Sequence, residues 1–278
     1  MDTYLINQDI LNTEDFTFEL YRPRKRRGDS GTLYMATPRN GDDDRYVVKC
    51  MTPELASNEF IYHKLAALLG LCTPEVKLFS LSDGLPFAGK RAAGIRFISD
   101  MKRYRHEEAA RQNRLDYYSF QTLYQILAEE DSEEYYVDGT GRFLKIDNAA
   151  SLRADMYLSV ALLEYDNQPE KFREAADKLY RIRAKVKSKV DYWSFGEVVR
   201  RLKQEHGYEA ELASRRMFEM FADLDTEPLE DAFQAIAEIY SERYSNFYRE
   251  FIKTRQEMCA RFLQELEESE YERIAVGV

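Results

Sequence analysis

The sequence predicts an α+β chain in two parts, an antiparallel sheet carrying one helix and then a mostly helical remainder. Three observations predict it. Short alternating or β-branched runs separated by turns fill the first hundred residues. One stretch, Arg45 to Leu71, joins such a run to a helical pattern. Beyond Ala149 apolar residues recur at helical spacing almost to the end. A length of 278 residues with 44% hydrophobic composition is enough for a sizeable core, in one two-lobed domain or two small ones.

Taken in order, Phe16 to Tyr21 (FTFELY) alternates as a strand does. A basic cluster (Arg22, Arg24, Lys25, Arg26, Arg27) precedes Gly28-Asp29-Ser30-Gly31 and a second strand-like run, Thr32 to Ala36. Strand, glycine turn, strand is a hairpin signal. The amides of a glycine turn also cradle phosphates, and a plain hairpin turn has the same sequence. Asn40 to Asp44 turns the chain again. Tyr46-Val47-Val48-Lys49 then reads as a strand, because β-branched residues fit a pleated surface.

Thr52 is a good N-cap, and Pro53 suits the first helical position. Ile61, Leu65, Leu68 and Leu69 follow at helical spacing, and Gly70 sits where a C-terminal cap belongs. A strand bearing Lys49 therefore runs into an amphipathic helix bearing Glu59. In nucleotide-phosphate sites a strand lysine is often held by a glutamate of the next helix. The two are expected within salt-bridge distance; an ordinary solvated surface pair is the plainer alternative.

Val76 to Leu81 and Ala93 to Ile98 look like strands joined by a turn at Ser82-Asp83-Gly84. A boundary near Ser99 to Lys102 divides an N-terminal part, residues 1–99, from a C-terminal part, residues 100–278. Lys102 to Arg114 is charged and expected to be helical. Tyr117 to Glu130 carries Phe120, Leu123, Tyr124 and Leu127 at helical spacing. Glu134 to Val137, the turn Asp138 to Gly141, and Arg142 to Ile146 form a hairpin near 134–147 that ends in Asp147-Asn148. Helices are expected over 150–165, 169–190, 192–206, 209–222 and 228–268.

Charge and composition exclude several classes. Fifty acidic against forty basic residues give a net charge of −10, which opposes non-specific binding to nucleic acid or an anionic membrane. Three cysteines, Cys50, Cys72 and Cys259, and three histidines are too few and too widely spaced for a disulfide framework or a histidine metal cluster. No stretch reads as a signal peptide or a membrane span, so the expectation is a cytoplasmic protein.

Two acidic residues suit phosphate chemistry. Asp147, closing a hairpin strand, is a hard-oxygen ligand of the kind Mg2+ takes. Asp131, in the loop Ala128 to Glu134, is placed to orient an acceptor hydroxyl; a solvated helix end explains the same acidic run. In sum, the pieces are a glycine turn, Lys49, Glu59, two strands, a helix, an acidic loop and a hairpin closing on Asp147.

Asn58 to Phe79 (NEFIYHKLAALLGLCTPEVKLF) and Phe143 to Ser151 (FLKIDNAAS) resemble the protein-kinase-like superfamily, most of all its HipA-type serine/threonine kinases, with a looser similarity to type II phosphatidylinositol 4-kinases. The resemblance covers Gly28 to Ser151. It implies a two-lobed protein-kinase-like fold, a small antiparallel-sheet N-lobe and a helical C-lobe. It implies ATP and Mg2+ as cofactors and phosphoryl transfer to a protein hydroxyl. Lys49, with Gly28, Ser30 and Gly31, would contact phosphate. Glu59 would hold Lys49, Asp147 would bind metal, and Asp131 would orient the acceptor. The family's Asp-Arg-His and following Asn meet Asp131-Ser132-Glu133-Glu134-Tyr135-Tyr136 here, which keeps only the aspartate. A pseudokinase that binds nucleotide or a protein partner, and a helical interaction protein, are the alternatives.

Two further patterns concern partners. Arg181, Arg183, Lys185, Lys187 and Lys189 fall on every second position, which spreads charge around a helix rather than gathering it against an acidic partner. Phe233, Ala237, Tyr240, Tyr244, Phe247, Phe251, Met258 and Phe262 form a heptad-like stripe, interrupted at Arg255. Packing against the other C-terminal helices is the expected use of that stripe; a homodimer seam is the alternative.

Overall fold

The structure, a computed structural model, describes residues 8–21, 33–80, 91–104, 108, 114–127, 134–146 and 195–276. The first sheet has six strands: β1 (Ile10–Leu11), β2 (Phe16–Leu20), β3 (Leu33–Pro38), β4 (Tyr46–Met51), β5 (Val76–Phe79) and β6 (Arg91–Arg96), in the spatial order β1-β5-β6-β4-β3-β2. Four of its pairings are antiparallel, as the turn-separated runs imply. The fifth departs from expectation. β1, too short to signal itself in the sequence, pairs with β5 in parallel, Ile10 opposite Leu78. Buried Asp9 secures this edge through Lys64 on the helix below and Lys77 on β5.

Helix α1 (Pro53–Leu68) follows β4 directly and packs against β4, β5 and β6. Its ends obey local chemistry. Thr52 Oγ1 accepts from the Leu55 amide at 3.4 Å, and the chain leaves through Gly70 at φ 73°, a left-handed conformation in which glycine has no Cβ penalty. The expected amphipathic face is only half of the account. Ala56 to His63 are buried without interruption, so the helix lies between the sheet and the helices that follow. On the sheet's other face Phe16, Tyr46 and Phe79 meet edge-on, with ring centroids 5.3 to 6.2 Å apart. Gly94 lies against the Phe79 ring, in space that a Cβ would take.

Between Arg96 and Lys102 the chain changes sheets, turning at Asp100 with φ 65°. The second sheet is β7 (Lys102–Tyr104), β8 (Glu134–Val137) and β9 (Phe143–Ile146), antiparallel throughout. Its first strand corrects the helix expected from Lys102: Lys102, Arg103 and Tyr104 pair with Val137, Tyr136 and Tyr135. A charged, helix-compatible run is drawn into a strand by a free sheet edge and by Tyr104, whose ring packs on Phe143 at 5.7 Å.

The β8–β9 turn is built on Asp138. Its carboxylate accepts from the Thr140 hydroxyl (2.7 Å) and amide (2.9 Å) and from the Arg142 Nε (2.7 Å) and amide (3.0 Å). These bonds, led by the Thr140 hydroxyl, hold its carboxyl well below the ordinary carboxylate range. A depressed folded pKa contributes stability that is present above the unfolded value and lost as pH falls through the folded one. Asp138→Asn is therefore expected to lower Tm at pH 7 and to flatten the fall of Tm between pH 5 and pH 2. Thermal melts of both proteins across that range check it.

The helical part comprises α2 (Leu115–Ile126), α3 (Phe195–His206), α4 (Tyr208–Ala222), a 3-10 turn (Glu227–Leu229), α5 (Glu230–Ile239) and α6 (Glu242–Val276). The single helix expected over 228–268 is two, broken at Tyr240–Ser241, and the second runs on to Val276. The break lets α5 fold back on α6, a contact that one continuous helix could not make. Phe233, Phe247, Phe251, Met258 and Phe262 of the heptad-like stripe are buried inside the chain, and Arg255 is buried among them with its guanidinium over the Phe251 ring. The helices expected over 150–165 and 169–190, with Arg181, Arg183, Lys185, Lys187 and Lys189, lie outside the described residues. Cys72 and Cys259 are free thiols. Among the described residues no helix is long and apolar enough to cross a membrane.

Candidate functional site

Strand alternation positions the first site residue. Tyr46 and Val48 join the aromatic face of the sheet, so Lys49 points the other way, onto α1. There its Nζ lies 3.4 Å from Glu59 Oε2, with only 8% of the lysine side chain and none of the glutamate exposed. The expected ion pair is therefore a buried one, not a solvated surface pair.

The other oxygen of the same carboxylate, Oε1, is 3.1 Å from His63 Nε2. Sequence reasoning treated His63 only as one of three scattered histidines. Its signal was its place one helical turn after Glu59, at the i+4 spacing that brings side chains together. Glu59 thus bridges a strand cation and a helix imidazole. A carboxylate so shared is fixed in orientation and in turn fixes the ammonium.

A second buried lysine was also missed. Lys145 on β9 has no exposed surface, and its Nζ sits 4.9 Å from the centre of the Tyr62 ring on α1. Its signal was a lysine inside the apolar run Phe143-Leu144-Lys145-Ile146. β8 is held as well: Gln121 donates to Tyr135 Oη at 2.9 Å, and Arg201 donates to Gln121 Oε1 at 2.9 Å.

Gly28, Ser30, Gly31, Asp131 and Asp147 lie outside the described residues, so of the expected site residues the structure brings together Lys49 and Glu59. What frames the others is described. β2 and β3, on either side of the glycine turn, pair antiparallel with Leu20 opposite Tyr34. Glu134, three residues after Asp131 in the sequence, is directly opposite Ile146, the residue before Asp147. Among the described residues no group of three or more His, Cys, Asp or Glu could hold a metal ion. A groove of about 620 Å3 lies elsewhere, between the C-terminal end of α1 and helices α2 and α4, and neither Lys49 nor Glu59 lines it.

A sheet carrying one helix, joined to a helical half, is a two-lobed, kinase-like fold. No family model matches the sequence, and no curated protein matches it. Among solved structures the chain is similar to the Helicobacter pylori proinflammatory kinase CtkA, with a TM-score of 0.53 over 87% of this chain and 92% of that one. At 12% identity the likeness is one of fold.

Proposed function

We propose that the protein is an ATP-dependent phosphotransferase of HipA type, acting slowly on a serine or threonine hydroxyl of a protein. The observation that carries this reading is the buried Lys49–Glu59 pair, in the strand and helix where a kinase-like fold places its phosphate lysine and that lysine's anchor. The residues present fit a triphosphate: a nearly buried ammonium, held by a fixed carboxylate, is a ready counter-charge for phosphate oxygens.

In this reading Lys49 holds phosphate, the amides around Gly28, Ser30 and Gly31 cover it, and Asp147 holds Mg2+. When bound, Mg2+ would neutralise phosphate charge. Asp131 orients the acceptor hydroxyl and takes its proton as the γ-phosphoryl passes from the ADP oxygen to the acceptor oxygen. The slow half of the proposal rests on the loop Asp131-Ser132-Glu133-Glu134, which lacks the family's Arg, His and metal-binding Asn. That same departure favours the second reading, a pseudokinase that binds nucleotide or a protein partner in the cytoplasm without efficient transfer.

Two variants test the assignment. Asp147→Ala is expected to abolish the Mg2+-dependent part of ATP binding. Asp131→Ala is expected to leave binding intact and remove residual autophosphorylation. An Asp147→Ala protein that binds Mg-ATP as the parent does would show the metal site to be misassigned. A parent that binds Mg-ATP and transfers no phosphate would favour the pseudokinase.

A further inference from the structure

Among the described residues, polar side chains of β4, β9 and α6 grip helix α1 around Glu59, and the site described above uses the first of them. Lys49 reaches it from β4. The other two grips come from outside the first sheet and flank Glu59 along the helix. One residue before Glu59, Asn58 Oδ1 accepts a 2.7 Å hydrogen bond from Tyr248 Oη on α6. Three residues after it, the Tyr62 ring lies under the Lys145 ammonium of β9 at 4.9 Å. Asn58, Tyr62, Lys145 and Tyr248 are all fully buried.

The chemistry of these contacts is not what filling space requires. An ammonium taken out of water loses hydration that only well-placed partners return, and an apolar side chain of similar volume avoids the loss. A cation over a desolvated aromatic face is one such partner, and it is directional. A buried phenol–amide hydrogen bond is directional too. Grips at residues 58 and 62, about one helical turn apart, fix both the rotation and the height of the turn that carries Glu59. Rotating that turn would swing the Glu59 carboxylate away from Lys49.

We propose that Lys145 and Tyr248 are positioning residues for the nucleotide site: together they hold α1 so that Glu59 anchors Lys49 before nucleotide arrives. The proposal rests on the nucleotide-binding reading above and deepens it. Neither residue touches substrate; both act through α1. The lysine–glutamate pair must be in place for phosphoryl transfer, and the position of its helix is what controls it. Here Lys145 from the second sheet and Tyr248 from α6 hold that position.

The test is calorimetric titration of the intact chain with ATP, with thermal melts of every protein. The set is the parent, Lys145→Met, Tyr248→Phe, Tyr62→Phe, Glu59→Gln, and Lys145→Met and Tyr248→Phe each combined with Glu59→Gln. Lys145→Met and Tyr248→Phe are each expected to weaken ATP binding about tenfold, the usual size of coupling carried through packed elements. In the Glu59→Gln background either change is expected to alter affinity by less than about twofold, because the anchor they position is gone. Tyr62→Phe keeps the ring face and is expected to keep the parent's affinity. A merely structural role would lower Tm in both backgrounds and leave the two effects on affinity additive. If Lys145→Met does not fold, Tyr248→Phe carries the same test. A parent that binds ATP, with variants that bind as the parent does or whose effects add to that of Glu59→Gln, overturns this inference alone. A parent that binds no ATP overturns the nucleotide reading, and the inference falls with it.

Discussion

Replacing Glu59 by glutamine is expected to lower the free energy of unfolding by about 3–5 kcal/mol, the cost of removing one partner from a buried ion pair. The substitution keeps volume and shape, so the loss is electrostatic. One carboxylate oxygen faces the Lys49 ammonium at 3.4 Å and the other faces His63 Nε2 at 3.1 Å. Glutamine can offer one carbonyl oxygen to one of them, and its amide nitrogen, a donor, must then face the other. With Glu59 fully buried, water does not replace what is lost. Urea unfolding at neutral pH should show a lower midpoint with an unchanged slope. A loss below about 1 kcal/mol would be that of a solvated surface pair, and would contradict the buried geometry.

Phe218→Ala is expected to cost about 3–5 kcal/mol, the range for emptying an aromatic site in a packed core. Phe218 on α4 has no exposed surface, and its ring centre is 4.8 Å from both Phe195 on α3 and Phe262 on α6. Three helices thus meet at one ring, and none can close the cavity without leaving the other two. Phe218→Leu should recover about half of the loss, since it keeps most of the buried carbon. The same urea unfolding measures both variants. Equal and small effects of the two would mean that the helices do not converge on this ring.

The legible part of the fold was the part with local signals. Thr52-Pro53 and Gly70 marked the ends of α1, and the β-branched run before Lys49 marked β4. The Lys49–Glu59 pair followed, because a strand and the helix next to it have few ways to pack. What the sequence did not disclose depends on partners distant along the chain. β1 is two residues long and exists because β5 offers it an edge. Lys102 to Tyr104 looked helical until a free edge of β8 claimed it. The break at Tyr240–Ser241 carries no glycine or proline, and the packing of α5 on α6 fixes it instead. His63 and Lys145 are of types usually found at the surface, and both are buried here. Gly28, Ser30, Gly31, Asp131 and Asp147 rest on sequence pattern and on the strands that frame them.

The central claim is that Lys49 is the phosphate-holding cation of a nucleotide site in a kinase-like fold. Calorimetric titration of the parent and of Lys49→Met with ATP, in the presence of Mg2+, tests it most directly. A hydrogen bond to a charged group is worth about 1.5–3 kcal/mol, so the parent should bind and Lys49→Met should bind about ten- to hundredfold more weakly while still melting cooperatively. A folded Lys49→Met protein that binds ATP as tightly as the parent would contradict the account.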